Sequence, residues 1–186
     1  MNIALSGAHG VGKTTLGRGL YQYYQSKYKT YLNAGIARKI IAQGYALGAD
    51  ATMDSYVEYV NEHLSALSQA KEYDLYFSDR SLLDAYAYAL NNYRNGRLLI
   101  TARQLELLHQ VWELEQEKYD LYLYLPVQFP LEQDGVRPTD VEYQKQVSQT
   151  IFELLQQYHL TYLKLEGDSE TMLRNAVLEI NRFQNR

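Results

Sequence analysis

The sequence predicts an α/β fold, a five-stranded parallel sheet with helices on both faces, and three observations carry that expectation. Short apolar runs of strand length alternate with longer amphipathic patterns, the order that a covered parallel sheet produces. The first run passes straight into a glycine-rich loop and then into a helical pattern. Several helix starts place a hydroxyl residue three positions ahead of an acid or glutamine, "SLLD" at Ser81, "TARQ" at Thr101 and "TDVE" at Thr139, the spacing of a reciprocal cap.

In chain order, Asn2 to Ser6 reads as a short buried strand, followed by the loop "GAHGVGKTT" and a helix from Lys13 to about Tyr28. Thr30 to Ala34 is a second strand. "YDLYFSD" at Tyr73 to Asp79 and "YDLYLYLP" at Tyr119 to Pro126 read as central strands, and "LTYLKLEG" at Leu160 to Gly167 as a fifth. Helical periodicity covers Ile36 to Leu47, Asp54 to Glu72, Ser81 to Asn92, Thr101 to Lys118, Thr139 to Tyr158 and Ser169 to Phe183. The two "YDLY" copies have flanks that diverge at once, so they read as two independent entries into buried strands, not as a repeat. No linker or low-complexity break divides the chain, and residues 1–186 read as one domain with a lid segment at about 130–140.

Composition narrows the function. A chain of 186 residues with 46% hydrophobic and 22% charged residues can bury a core without disulfide or metal support. It contains no cysteine, which excludes thiolate catalysis and cysteine-ligated zinc and fits a reducing cytoplasm. No window approaches the roughly 18 apolar residues of a membrane span, and the N-terminus lacks the pattern of an export signal. The net charge of −4 opposes a polynucleotide unless a local basic patch binds it, whereas a small anionic ligand meets no such barrier. The 19 tyrosines, Tyr21, Tyr23, Tyr24 and Tyr28 among them, recur on helix-like stretches and suit core margins where the ring is buried and the hydroxyl stays wet.

Gly7, the four residues Ala8 to Val11, then Gly12, Lys13 and Thr14 match the spacing of a phosphate-binding loop, and the match lies between a strand and a helix, as that loop requires. Glycines let backbone amides converge on phosphate oxygens, Lys13 reaches the terminal phosphates, and the Thr14 hydroxyl is a magnesium ligand. The helix that starts there adds its positive end. His9 is expected as an exposed side chain within this loop.

The third strand ends in "SDRS", and ligands sit at the carboxyl ends of strands in open parallel sheets. Asp79 is placed to hold magnesium or its water, or to accept a proton from an acceptor hydroxyl. Arg80 follows on the same edge, where a guanidinium can clamp an acceptor phosphate or a developing charge. In "QDGVRPTD", Gln133 to Asp140, glycine and proline break the rhythm, and Arg137 would bring charge to the transition state as a flap closes.

Together the phosphate loop, "DRS" and "DGVRPTD" resemble the small P-loop nucleoside and nucleotide kinases, above all the AAA-like kinase family that includes the ribosylnicotinamide kinase domain. Thymidylate and deoxynucleoside kinases are wider relatives. The resemblance extends to "LEGD" at Leu165 to Asp168, which in such kinases leads toward the adenine. It implies that Gly7, Gly10, Val11, Gly12, Lys13, Thr14 and Thr15 bind ATP and magnesium, that Arg80 faces the acceptor, and that Arg137 is the lid arginine. Family members carry a glutamate shortly after the second strand and an arginine three residues later. Here Arg38 is present and Gly35 takes the acidic position, which favours an acceptor that is already a phosphate, moves the base role to Asp79, or weakens transfer.

The reading that follows is an ATP-dependent phosphotransferase acting on a small nucleoside or nucleotide, with Tyr56, Tyr59 and His63 as core residues or walls of the acceptor site. A kinase of a modified base or nucleic-acid end would use a basic strip of Arg94, Arg97 and Arg103, for which a solvated surface is the plainer account. A regulatory protein that binds ATP without an acceptor is the third reading. A homodimer is compatible with all three.

Overall fold

Ile3, Ala4, Leu5 and Ser6 of the first strand, β1 (Asn2–Ser6), are all buried, which is why the run shows no alternation of apolar and polar residues. The computed structural model describes residues 1–97, 99–128 and 140–184. Within them β1 is followed by α1 (Lys13–Tyr24), β2 (Thr30–Asn33), α2 (Ile36–Ala42), α3 (Met53–Ser68), β3 (Leu75–Asp79) and α4 (Leu82–Arg94). The chain continues through α5 (Ala102–Glu115), β4 (Leu121–Tyr124), α6 (Val141–Gln157), β5 (Tyr162–Lys164) and α7 (Ser169–Gln184).

The five strands are parallel and ordered β2-β3-β1-β4-β5. From β1 the chain crosses outward to β2, and every later crossover runs in the opposite direction. Right-handed crossovers therefore put α1 on one face of the sheet and α2 to α6 on the other. The packing agrees, since α1 lies against α7, α4 against α5 and α6, and α3 against α2 and α4. The direction reverses between β1 and β3, so the crevice at their carboxyl ends is the natural ligand position.

Both "YDLY" runs have the same structural task. They form the strands on either side of β1, with Asn2 opposite Tyr76 and Ala4 opposite Tyr122. Each aspartate accepts a backbone N–H at the amino edge of the sheet, Asp120 from Asn2 at 2.6 Å and Asp74 from Lys29 at 2.8 Å.

Helix ends depart from the periodicity. α1 stops at Tyr24 instead of Tyr28, and α2 at Ala42 instead of Leu47, where Gly44 takes a left-handed φ of 92° that ends a helix. α3 and α5 give way to short 3-10 turns, Ala70–Glu72 and Gln116–Lys118. The caps expected at Ser81 and Thr101 form. The expected cap Thr139 lies outside the described residues; Asp140 caps α6 by accepting the Tyr143 N–H at 3.0 Å, because an aspartate fills that position as well as a threonine does. Tyr24 is also more deeply set than a core-margin residue, since it is 1% exposed and its hydroxyl donates to Asn181 of α7 at 2.8 Å.

Candidate active site

The phosphate loop crosses from β1 to α1 beside the exit of β4. A Cβ on Gly7 would lie 2.5 Å from the Leu125 carbonyl oxygen, so no other residue fits there. Gly12 turns the chain into α1 at φ 90°, a conformation that costs a residue with a Cβ. Lys13 is buried and curls over the loop, donating to the carbonyls of Gly7 at 2.8 Å and Ala8 at 2.5 Å. The loop thus gathers the Lys13 ammonium and the amino end of α1 at one place, the two features that bind phosphate.

Parallel pairing brings "DRS" to this loop, with Leu5 of β1 opposite Asp79 of β3. The Thr14 hydroxyl donates to the Asp79 carboxylate at 2.5 Å. These two side chains form a hard oxygen pair of the kind that binds magnesium together with phosphate oxygens and water. Among the described residues no group of three or more His, Cys, Asp or Glu side chains forms a metal cage.

Arg80 has a left-handed backbone, φ 85°, which is unusual for a residue with a Cβ. Its N–H donates to the Leu5 carbonyl at 3.0 Å, which fixes the turn against β1. The side chain runs between α3 and α4, where its Cζ lies 5.2 Å from the centre of the Tyr88 ring. Burial works against its charge, but Tyr88, Tyr59 and Asp84 more than offset this and hold the guanidinium firmly protonated.

Tyr59 and His63 of α3 line the same space, 5% and 1% exposed, with ring centres 4.6 Å apart. The Tyr59 hydroxyl and both His63 ring nitrogens have no hydrogen-bond partner among the described residues. Burial, helped by the Arg80 charge, lowers the His63 pKa to about 3, so this imidazole is neutral at physiological pH. Burial raises the Tyr59 phenol well above its usual range. Ile36, Ile40, Tyr59 and Ala85 form a small apolar cluster here, separate from the main core, with Leu47 packed on it. Tyr56 is buried as well, although its hydroxyl is within 3.4 Å of Asn92, a neighbour of the main core.

Other sequence-predicted residues fall elsewhere. Arg38 is on the exposed side of α2. Gly35 caps α2 at φ 90°, so a glutamate placed on this backbone would carry left-handed strain. Arg137 and the lid segment, Asp140 apart, lie outside the described residues. Arg94 is paired with Glu153 at 3.1 Å, and Arg97 lies over the Tyr143 ring at 4.9 Å and 4.0 Å from Asp140. That strip is partly neutralised from within the molecule. The "LEGD" loop is tied to the end of β4 by Gln128, which donates to the Leu165 carbonyl at 3.1 Å and accepts the Gly167 N–H at 2.7 Å.

His9 is not exposed, as the sequence led us to expect, but 6% accessible. Tyr88 of α4 and Tyr143 of α6 close over it, and Gln144 donates to its carbonyl at 2.6 Å. Sequence reasoning also missed Tyr88, and it saw Asp84 only as a helix cap. The capping spacing was the one local signal for Asp84. Tyr88 had none beyond lying two turns after the strand end.

A family model described as an AAA domain matches residues 2–171. The chain belongs to the AAA domain family. Solved structures share the fold of this AAA domain chain. NadR in complex with NR superposes with a TM-score of 0.79 and 18% identity, covering 100% of this chain and 52% of that one. Deoxyadenosine kinase from M. mycoides, with dCMP and dCDP bound, gives 0.73 and 16%, covering 98% and 100%. The same kinase with dATP gives 0.73 and 18%, covering 97% and 99%. The AAA domain chain thus spans about half the length of the NadR chain. No curated protein matches it in sequence, and among the described residues no helix is long and apolar enough to cross a membrane.

Proposed function

We propose that this AAA domain chain is an ATP-dependent kinase that moves the γ-phosphoryl group to a hydroxyl of a small nucleoside. The observation that carries this reading is the place of Arg80, anchored to β1 beside the phosphate loop and lying over the Tyr88 ring, with its charge felt at the buried Tyr59 and His63 side chains, whose polar atoms have no hydrogen-bond partner among the described residues. The NadR and deoxyadenosine kinase structures, which hold NR, dCMP and dATP, support the same class of ligand. Around Tyr59 the charged groups are Arg80, Asp84 and Asp79, and His63 is neutral. Arg80 is the one cation among these groups, which suits an uncharged hydroxyl better than a dianionic phosphate.

In this mechanism the acceptor oxygen bonds to the γ-phosphorus, the bond to the β–γ bridging oxygen breaks, ADP leaves, and the acceptor proton passes to Asp79. Gly7, Gly10, Val11, Gly12, Lys13, Thr14 and Thr15 seat the triphosphate. Lys13 turns from its own loop carbonyls to the phosphates. Thr14 and Asp79 would hold magnesium, which supplies charge neutralisation at the phosphates. Arg80 orients the acceptor, and Arg137 is assigned from sequence alone to stabilise the transferring group. Catalysis of this kind is positioning plus electrostatics.

The test is to incubate the full chain with labelled ATP and a panel of nucleosides, ribosides and nucleoside monophosphates. Label should move to a nucleoside or riboside. Transfer confined to monophosphates would overturn the hydroxyl assignment, and slow hydrolysis indifferent to every acceptor would overturn the kinase reading in favour of an ATP-binding regulator.

A further inference from the structure

One helix holds both halves of the site. Asp84 and Tyr88 lie one turn apart on α4 and share a face. Asp84, 1% exposed, accepts from the Gly7 N–H at 3.0 Å and the Ser6 hydroxyl at 2.9 Å on the loop side. It also accepts the Ser81 N–H at 2.9 Å and the Ser81 hydroxyl at 3.2 Å, next to Arg80. The Tyr88 hydroxyl accepts the His9 N–H at 2.9 Å and is 3.1 Å from His9 Nδ1. The Arg80 guanidinium lies over the ring of this same tyrosine, its Cζ 5.2 Å from the ring centre.

We propose that Asp84 and Tyr88 are positioning residues that couple the phosphate loop to Arg80, with Tyr88 as the link and Asp84 as the anchor of α4 against the loop. A buried polar network of this kind resists rearrangement, because moving a bonded member leaves a donor unpaired. Nucleotide drawn into the loop orders the Gly7 and His9 amides, and through Tyr88 it sets the Arg80 fork. Such a coupling is reciprocal, so a change at Arg80 alters nucleotide affinity without touching the nucleotide. What Arg80 does for an acceptor rests on the kinase reading; the coupling itself does not.

The experiment is a double-mutant cycle read by calorimetric titration of the full chain with ADP. Tyr88→Phe keeps the ring beneath Arg80 and deletes the oxygen, and it should weaken ADP binding about tenfold. Arg80→Lys keeps the charge and loses the planar fork, and alone it should weaken ADP binding about threefold. In the Tyr88→Phe background Arg80→Lys should have no further effect. Equal effects of Arg80→Lys in both backgrounds, or none in either, would overturn the coupling. Tyr143→Phe removes a hydroxyl from the same buried cluster but no bond to a loop N–H, so the Arg80→Lys effect should keep its full size there; its loss would overturn the assignment to Tyr88. Because ADP binding requires no acceptor, the cycle tests the coupling even if the chain phosphorylates nothing.

Discussion

Asp84→Asn exchanges one carboxylate oxygen for an amide nitrogen, and the hydrogen bonds show what is lost. Oδ1 takes the Gly7 N–H, while Oδ2 takes the Ser81 N–H and the hydroxyls of Ser6 and Ser81. The two hydroxyls can rotate and accept from the new amide, but the two backbone N–H groups cannot. Whichever way the amide turns, one of them faces an NH₂ group. A buried donor left unpaired costs about 1–3 kcal/mol. At about 2–4 °C per kcal/mol for a chain of this size, a cost of about 2 kcal/mol lowers Tm by about 4–8 °C. The assay is thermal unfolding with and without ADP. If the amide turns toward Gly7, the upward shift produced by ADP shrinks as well. Asp84→Ala, which strips every acceptor and leaves a void, should lose more. An Asn variant melting within about 1 °C of the native protein would refute the reasoning.

Lys13→Ala should abolish productive ATP use in a label-transfer assay, and retained turnover would remove the loop from the mechanism. Arg137→Ala should lower kcat far more than ATP affinity, because its contact is assigned to the transition state; equal losses would make it a binding residue. Tyr59→Phe deletes a buried hydroxyl that has no partner among the described residues, so it should raise stability by about 1 kcal/mol while raising the acceptor KM about tenfold; a fall in both Tm and KM would contradict the assignment. His63 has a pKa of about 3 in the fold against 6.5 when exposed, so between those values the unfolded chain holds the extra proton and stability falls as pH drops. From pH 6.5 to 5 this group alone contributes a loss of about 2 kcal/mol, and His63→Phe should flatten the urea-unfolding profile by that amount.

What was legible in the sequence follows the range of the interactions. The phosphate loop is local in the chain, so its spacing between a strand and a helix gave Gly7, Gly12, Lys13 and Thr14 directly. Asp79 was legible because a strand end in a parallel sheet has only one edge to occupy, and Thr14 meets it there. His9, Tyr88 and Asp84 were not, because their roles depend on α4 and α6 lying over a loop more than 70 residues away in sequence. Periodicity cannot express that contact. Gly35 reads in the sequence only as an absent acid; that it is also a left-handed helix cap depends on where α2 begins in the fold. Overlong helices came from patterns that persist beyond a glycine stop, as at Gly44.

The left-handed backbone of Arg80 places a thermodynamic deficit at the centre of the molecule. A non-glycine residue in that region costs on the order of 1–3 kcal/mol, which the surrounding structure must offset. Glycine at position 80 would relax the turn, so a screen that rewards heat resistance alone would favour removing the guanidinium between α3 and α4. Under the proposed function, hardening the protein and keeping it active are thus opposed at a single peptide unit.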